Sequence, residues 1–265
     1  MAGPTTARRG QRQQKSSGRP LRLRRLRRPS PRAVALSALG VVLLGAAVLW
    51  LLYGSPWLRV EHVSVSGTRV LTTAQVREAA QVPSGDPLVS VDTGAVADRV
   101  RQRLPRVATV DVSRSWPHGI DVKVVERTAV MVEKKGGKFV EVDAHGVRFA
   151  TVSRAPDSVP VLELSLSRSP SAAASLRRFG ESRLVREAVT VAGDLPAAVS
   201  RQARTVKVRT YDDISLELTG GRSVSWGSSE KGRQKARALT ALMKAAPHAR
   251  HFDVSVPTAP ASSGS

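Results

Sequence analysis

The 265-residue chain contains no cysteine and no asparagine. Without cysteine there is no disulfide, no thiolate nucleophile and no zinc–thiolate site. Without asparagine the S-D-N element of serine transpeptidases cannot occur. Acidic residues are also missing from Met1 to Arg32, a stretch that holds Arg8, Arg9, Arg12, Lys15, Arg19 and the run LRLRRLRR, and so about half of the net charge of +21. Such a segment has too little apolar surface to bury and is expected to be a disordered basic tail over residues 1–32. Arginine far outnumbers lysine, a bias that G+C-rich coding produces.

Directly after the tail comes a run with no charge at all. AVALSALGVVLLGAAVLWLLY, from Ala33 through Leu43 and Trp50 to Tyr53, spans about 30 Å as a helix, the thickness of a bilayer's hydrocarbon. A cleaved signal peptide fits less well, because its apolar run is usually ~7–15 residues long. Basic residues flank one end, and Trp50, Tyr53 and Trp57 crowd the other. The positive-inside bias therefore places the N-terminus in the cytoplasm and the rest of the chain outside a cell membrane. Dense positive charge also suggests nucleic acid. However, no base-reading module accompanies the tail, and anionic lipid headgroups account for the same arginines with fewer assumptions.

Beyond the membrane the patterning is α+β. LRVEHVSVSG alternates apolar and polar residues as a half-buried strand. Thr72 with Gln75 forms a capping-box signature ahead of one helix, Asp92 is positioned to cap a second, and Pro105 ends it. ATVDV and IDVKV alternate again around Trp116-Pro117-His118-Gly119, which reads as a hairpin reversal with Trp116 covering the sheet's end. This strand–helix–helix–strand–strand set occupies residues 54–127. Residues 128–257 are richer in strands: TAVMVEK, KFVEV, GVRFATV, RTVKVRT, ISLELT, RSVSW and finally HFDVSVP. A helix is expected near Arg183–Val191 and a longer one over Ser229–Ala245. Pro257 stops the last strand, leaving residues 258–265 as a frayed tail.

Candidate chemistry is sparse. Ser228-Ser229-Glu230-Lys231 matches S-x-x-K, the motif in which a lysine amine activates a serine, and makes a membrane-anchored cell-wall enzyme the alternative reading. No K-T-G accompanies it. His248 and His251 are spaced as metal ligands, but no carboxylate cluster completes a site. Asp212-Asp213 fits a turn, and His118 has no apparent catalytic partner. No catalytic residue, cofactor or metal is expected.

The ordered motifs VEHVSVSG, GDPLVSVD, LPRVATVDVSRSWP, VKVVER, VDAHGVRF and VPVL, behind one basic-flanked anchor, resemble the bacterial cell-division FtsQ (DivIB) family, here with an actinobacterial-like composition. The resemblance covers about Leu58 to Pro257. It implies a POTRA domain, then a β-domain with a mostly antiparallel curved sheet. It also implies a non-enzymatic divisome scaffold that holds FtsB- and FtsL-like partners at the septum through the β-domain's last strand. Two positions depart from the pattern: Ala129 replaces a frequent proline after the Glu-Arg pair, and Gly119 lies in a turn that is more often Thr-rich. A last strand is expected to leave an open edge able to accept a partner strand. The candidate contacts are His251, Phe252, Asp253, Val254, Ser255 and Val256, with Trp226 beside them.

Overall fold

The computed structural model describes residues 30–165 and 169–264; the expected basic tail therefore falls outside the described residues except at its last three positions. Helix α1 (Pro31–Leu49) opens where Ser30 accepts from the Ala33 N–H at 3.3 Å and Pro31 sits in the first turn, where a missing N–H is harmless. It continues as a π-helical turn, Trp50–Gly54. Residues 31–54 thus form the one helix, among the described residues, long and apolar enough to cross a membrane. Ala33, Leu43, Trp50 and Tyr53 all lie on it with exposed side chains.

The first folded domain builds on β1 (His62–Ser66), α2 (Thr73–Ala80), α3 (Thr93–Arg103), β2 (Val107–Ser115) and β3 (Gly119–Glu126). The capping box forms as expected: the Thr72 hydroxyl accepts from the Gln75 N–H, and the Gln75 side chain accepts from the Thr72 N–H. Asp92 caps α3 through the Ala95 N–H at 3.0 Å. In the sheet β3 is central, parallel to β1 and antiparallel to β2. Ile120, Val122 and Val124 alternate inward from β3 and are fully covered by Val76, Val96 and Val100 of the two helices. The reversal at Trp116–Gly119 is present, with a different tenant than expected. Trp116 is 52% exposed rather than closing the sheet, and the His118 ring bonds the Trp57 carbonyl at 2.9 Å.

The second domain is one nine-stranded sheet. Its strands are β4 (Met131–Lys135), β5 (Lys138–Val142), β6 (Arg148–Val152), β7 (Val161–Leu164), β8 (Ala203–Thr210), β9 (Asp213–Leu218), β10 (Ser223–Gly227), β11 (His251–Asp253) and β12 (Ala261–Ser263). They lie in the order β12-β11-β10-β9-β8-β7-β4-β5-β6. Pairs β4/β7, β7/β8 and β10/β11 are parallel and the others antiparallel. Helices α4 (Pro170–Phe179), α5 (Glu181–Asp194), α6 (Ala197–Ser200) and α7 (Gly232–Ala245) complete the domain. Leu184, Val185 and Ala188 of α5 meet Val206 and Val208 of β8 and Leu216 of β9 in a single core. The opposite face of the sheet carries polar pairs such as Lys207 with Glu217.

Two expectations at the C-terminus need correction. HFDVSVP yields a strand of only three residues, because the Asp253 carboxylate accepts from both the Ser255 N–H at 2.9 Å and the Ser255 hydroxyl at 2.7 Å and bends the chain out of the ladder. The segment expected to fray after Pro257 instead returns as β12, antiparallel to β11, so the anticipated bare edge is covered by the chain itself.

Candidate partner-docking edge

The C-terminal margin of the sheet is built outward from β10. Ser223 donates its N–H to the Arg250 carbonyl at 2.8 Å, and Val254 donates to the Ser225 carbonyl at 2.9 Å. This pattern turns the backbone of Phe252 toward β10 and that of its two neighbours toward β12. Phe252 and Val254 are fully buried, with Leu239 of α7 in the same core. The half-buried His251 ring lies on the sheet's opposite, polar face, 3.0 Å from the Ser223 hydroxyl and 3.5 Å from that of Ser225.

The side chains named from the sequence therefore separate. Phe252, Val254 and Trp226 are core, and Trp226 is wholly inaccessible, so its side chain offers no surface at this edge. His251 braces β10, and Asp253 caps the bend. Ser255 is exposed, and Val256, at 55% exposure, lies off the sheet face that buries Phe252. What remains for docking is the backbone edge of β11.

That edge is occupied by β12. Ser263 lies opposite His251, Ser262 opposite Phe252 and Ala261 opposite Asp253, and Arg250 donates its N–H to the carbonyls of Ser263 at 3.2 Å and Gly264 at 2.8 Å. All three β12 residues are exposed. Each backbone hydrogen bond nets about 0.5–1.5 kcal/mol, whereas ordering each residue costs roughly 1–2 kcal/mol. With no apolar side chain buried in compensation, the closed strand is balanced near zero.

The other candidates do not assemble chemistry. A serine and a lysine three residues apart face each other on a helix, but α7 begins only at Gly232 and Lys231 precedes it in a left-handed conformation. The Ser228 carbonyl is instead bound at 2.8 Å by the buried Lys235 amine, whose pKa burial pushes down. His248 is exposed in the turn before β11, and no group of three or more His, Asp or Glu side chains that could hold a metal occurs among the described residues.

Sequence reasoning missed a second cluster, at the junction of the two domains. Arg106 donates to Glu141 at 2.6 Å and stands over the Phe149 ring, while Arg127 pairs with Asp143 and donates to the Pro105 carbonyl at 3.1 Å. The Asp143 carboxyl is pushed up by burial but lowered further by the N–H donors of Val147 and His145 and by Arg127, and it ends below the usual aspartate range. Charged pairs distant in sequence leave no periodic signal, so nothing in the pattern could have revealed them.

One apolar N-terminal helix, a POTRA-type β-α-α-β-β domain and a mixed sheet with helices on one face define the class of protein. A model of the FtsQ-type POTRA domain matches residues 58–127, and a model of the C-terminal region of the cell division protein FtsQ/DivIB matches residues 130–256. The chain belongs to the FtsQ/DivIB family of cell division proteins. It is 68% identical over 265 residues to the cell division protein FtsQ of Streptomyces coelicolor, with 100% of both chains covered. It is 70% identical over 269 residues to that of Streptomyces collinus, again covering 100% of each. The FtsQ of Mycolicibacterium smegmatis shares 34% identity over 220 residues, 83% of this chain and 62% of that one. The major extracytoplasmic domain of DivIB from Geobacillus stearothermophilus aligns with a TM-score of 0.31 and 18% identity, covering 50% of this chain and 96% of that one.

Proposed function

We propose that the chain is a non-enzymatic scaffold of the division machinery. It spans the cell membrane once with its N-terminus in the cytoplasm, acts at the septum and holds FtsB- and FtsL-like partners outside the membrane by strand addition. Its POTRA domain serves recruitment of further division membrane proteins, and its basic tail binds anionic headgroups, each basic residue near the surface adding about 1 kcal/mol. Family membership supports the role in division. The observation that carries the docking mode is the C-terminal edge of the sheet: β11 offers its backbone outward, and only three small, exposed residues cover it. A strand added to a sheet edge gains main-chain hydrogen bonds from the pairing and selectivity from alternate side chains. The left-handed backbone at Lys231, ahead of α7, keeps Ser228 and Lys231 off a common helical turn and favours this reading over a serine acyl-enzyme.

Site-specific photocrosslinking in dividing cells tests the proposal. A crosslinker at Ser255 or Val256, both exposed, should capture an FtsB- or FtsL-like partner, whereas one at Thr151, on the opposite edge strand β6, should not. Equal capture at both margins, or capture at Thr151 alone, would discard docking at the C-terminal edge.

A further inference from the structure

β12 satisfies backbone groups and contributes little else. Its pairing with β11 is antiparallel and in register over three residues. Its side chains are a methyl and two hydroxymethyl groups, all exposed. The chain reaches it through an exposed turn, closed by the Ala259 N–H on the Val256 carbonyl at 3.0 Å, and Pro260 immediately precedes the strand. A proline there keeps the approach extended.

We infer that residues 258–264 are a cis-acting stand-in for the partner strand, one that an incoming extended segment must displace. This inference rests on the proposed docking at the C-terminal edge and adds its regulation and the chemistry of its occupant. The N–H of Arg250 and the outward backbone of β11 are already engaged by β12, so cis and trans occupants exclude each other. Ser262 stands opposite Phe252 on the sheet face beneath α7, whose half-buried Leu242 and Met243 belong to the same core as Phe252. A serine leaves that position without apolar cover. The segment that replaces it is therefore extended, antiparallel to β11, and carries a branched aliphatic or aromatic side chain opposite Phe252. Burial of that side chain is what the tail cannot match. The tail lowers apparent affinity by the fraction of time that it is closed, and it rejects extended segments that bring only backbone.

The full chain, a variant ending at Pro257 and the double variant His251→Cys/Ser263→Cys test this, each titrated in detergent micelles with the purified FtsB- and FtsL-like pair. Because the chain has no other cysteine, the engineered pair can be oxidised to lock β12 onto β11 and released by a reductant. The separation expected for opposed residues of an antiparallel pair suits a disulfide. Truncation should lower the Kd roughly threefold or more. The oxidised double variant should lose binding and regain it on reduction. Equal binding by the full, truncated and locked chains overturns the cis-strand inference and leaves the scaffold reading standing. Absence of binding by all three, the truncated chain included, overturns the docking reading and the inference with it.

Discussion

The Arg106 guanidinium donates to the Glu141 carboxylate at 2.6 Å, joining the start of β2 in the POTRA domain to β5 of the following sheet. Both side chains are largely covered, and the Arg127 N–H reaches the Arg106 carbonyl at 2.7 Å on the same side. A proline after the Glu-Arg pair would stiffen the junction through the backbone. Here Ala129 stands instead, and charged side chains bridge the junction. Removing one partner of a covered pair strands the other charge, which costs several kcal/mol when burial is complete and less when water reaches one side. Arg106→Ala should therefore destabilise the chain by about 2–3 kcal/mol, measured by urea unfolding in detergent micelles, and should speed proteolysis between residues 127 and 131.

Stability should fall in acid through two carboxylates. Burial raises the Glu126 carboxyl, but the N–H groups of Arg69, Val70 and Leu71, with Arg106 nearby, more than reverse this and hold it below the ordinary range; Asp143 is lowered in the same sense. Groups with depressed folded-state pKa values stabilise fully above their unfolded values, about 3.9 for Asp and 4.3 for Glu. They lose that contribution as pH falls through the lower folded values. The unfolding midpoint should be flat above about pH 5 and drop below about pH 4. Asp143→Asn should be less stable at neutral pH and show a shallower decline in acid, as read by thermal melts across pH.

Gly67 closes β1 at φ +85°, where a Cβ would lie 2.0 Å from the Val124 carbonyl oxygen. The collision is with backbone of the central strand, which cannot turn aside. Gly67→Ala adds left-handed strain of about 1–2 kcal/mol to that clash, and the POTRA domain should unfold at markedly lower denaturant while the β-domain transition persists.

Mutations along the C-terminal strand should divide sharply by exposure. Phe252→Ala opens a cavity in the core and should lower stability by about 3–5 kcal/mol, whereas Val256→Ala should change it by less than about 0.5 kcal/mol. Paired urea titrations check this. A loss of partner binding at Phe252 is thus a folding effect unless the variant's stability is restored.

Much of the architecture was legible because it is local. Thr72 with Gln75, Asp92, and the alternation through Ile120, Val122 and Val124 each encode their element within a few residues, and an uncharged run of 21 residues needs no partner to reveal a helix suited to hydrocarbon. Helix α4 was missed although Ser169 and Pro170 carry the N-cap and first-turn signature, because the surrounding Ser- and Pro-rich composition masked it.

The docking edge was different. Reading the strand near Phe252 required only hydropathy, but Ala261, Ser262 and Ser263 have no strand propensity of their own and pair because β11 presents unsatisfied backbone to them. The burial of Trp226, the lodging of His251 against Ser223, the exit of Val256 from the sheet face and the ion pairs of Arg106 and Arg127 likewise arise from contacts between residues far apart in the chain. Short-range pattern specifies which segments become helix or strand; which edge is covered, by what and how weakly is set only when distant segments meet.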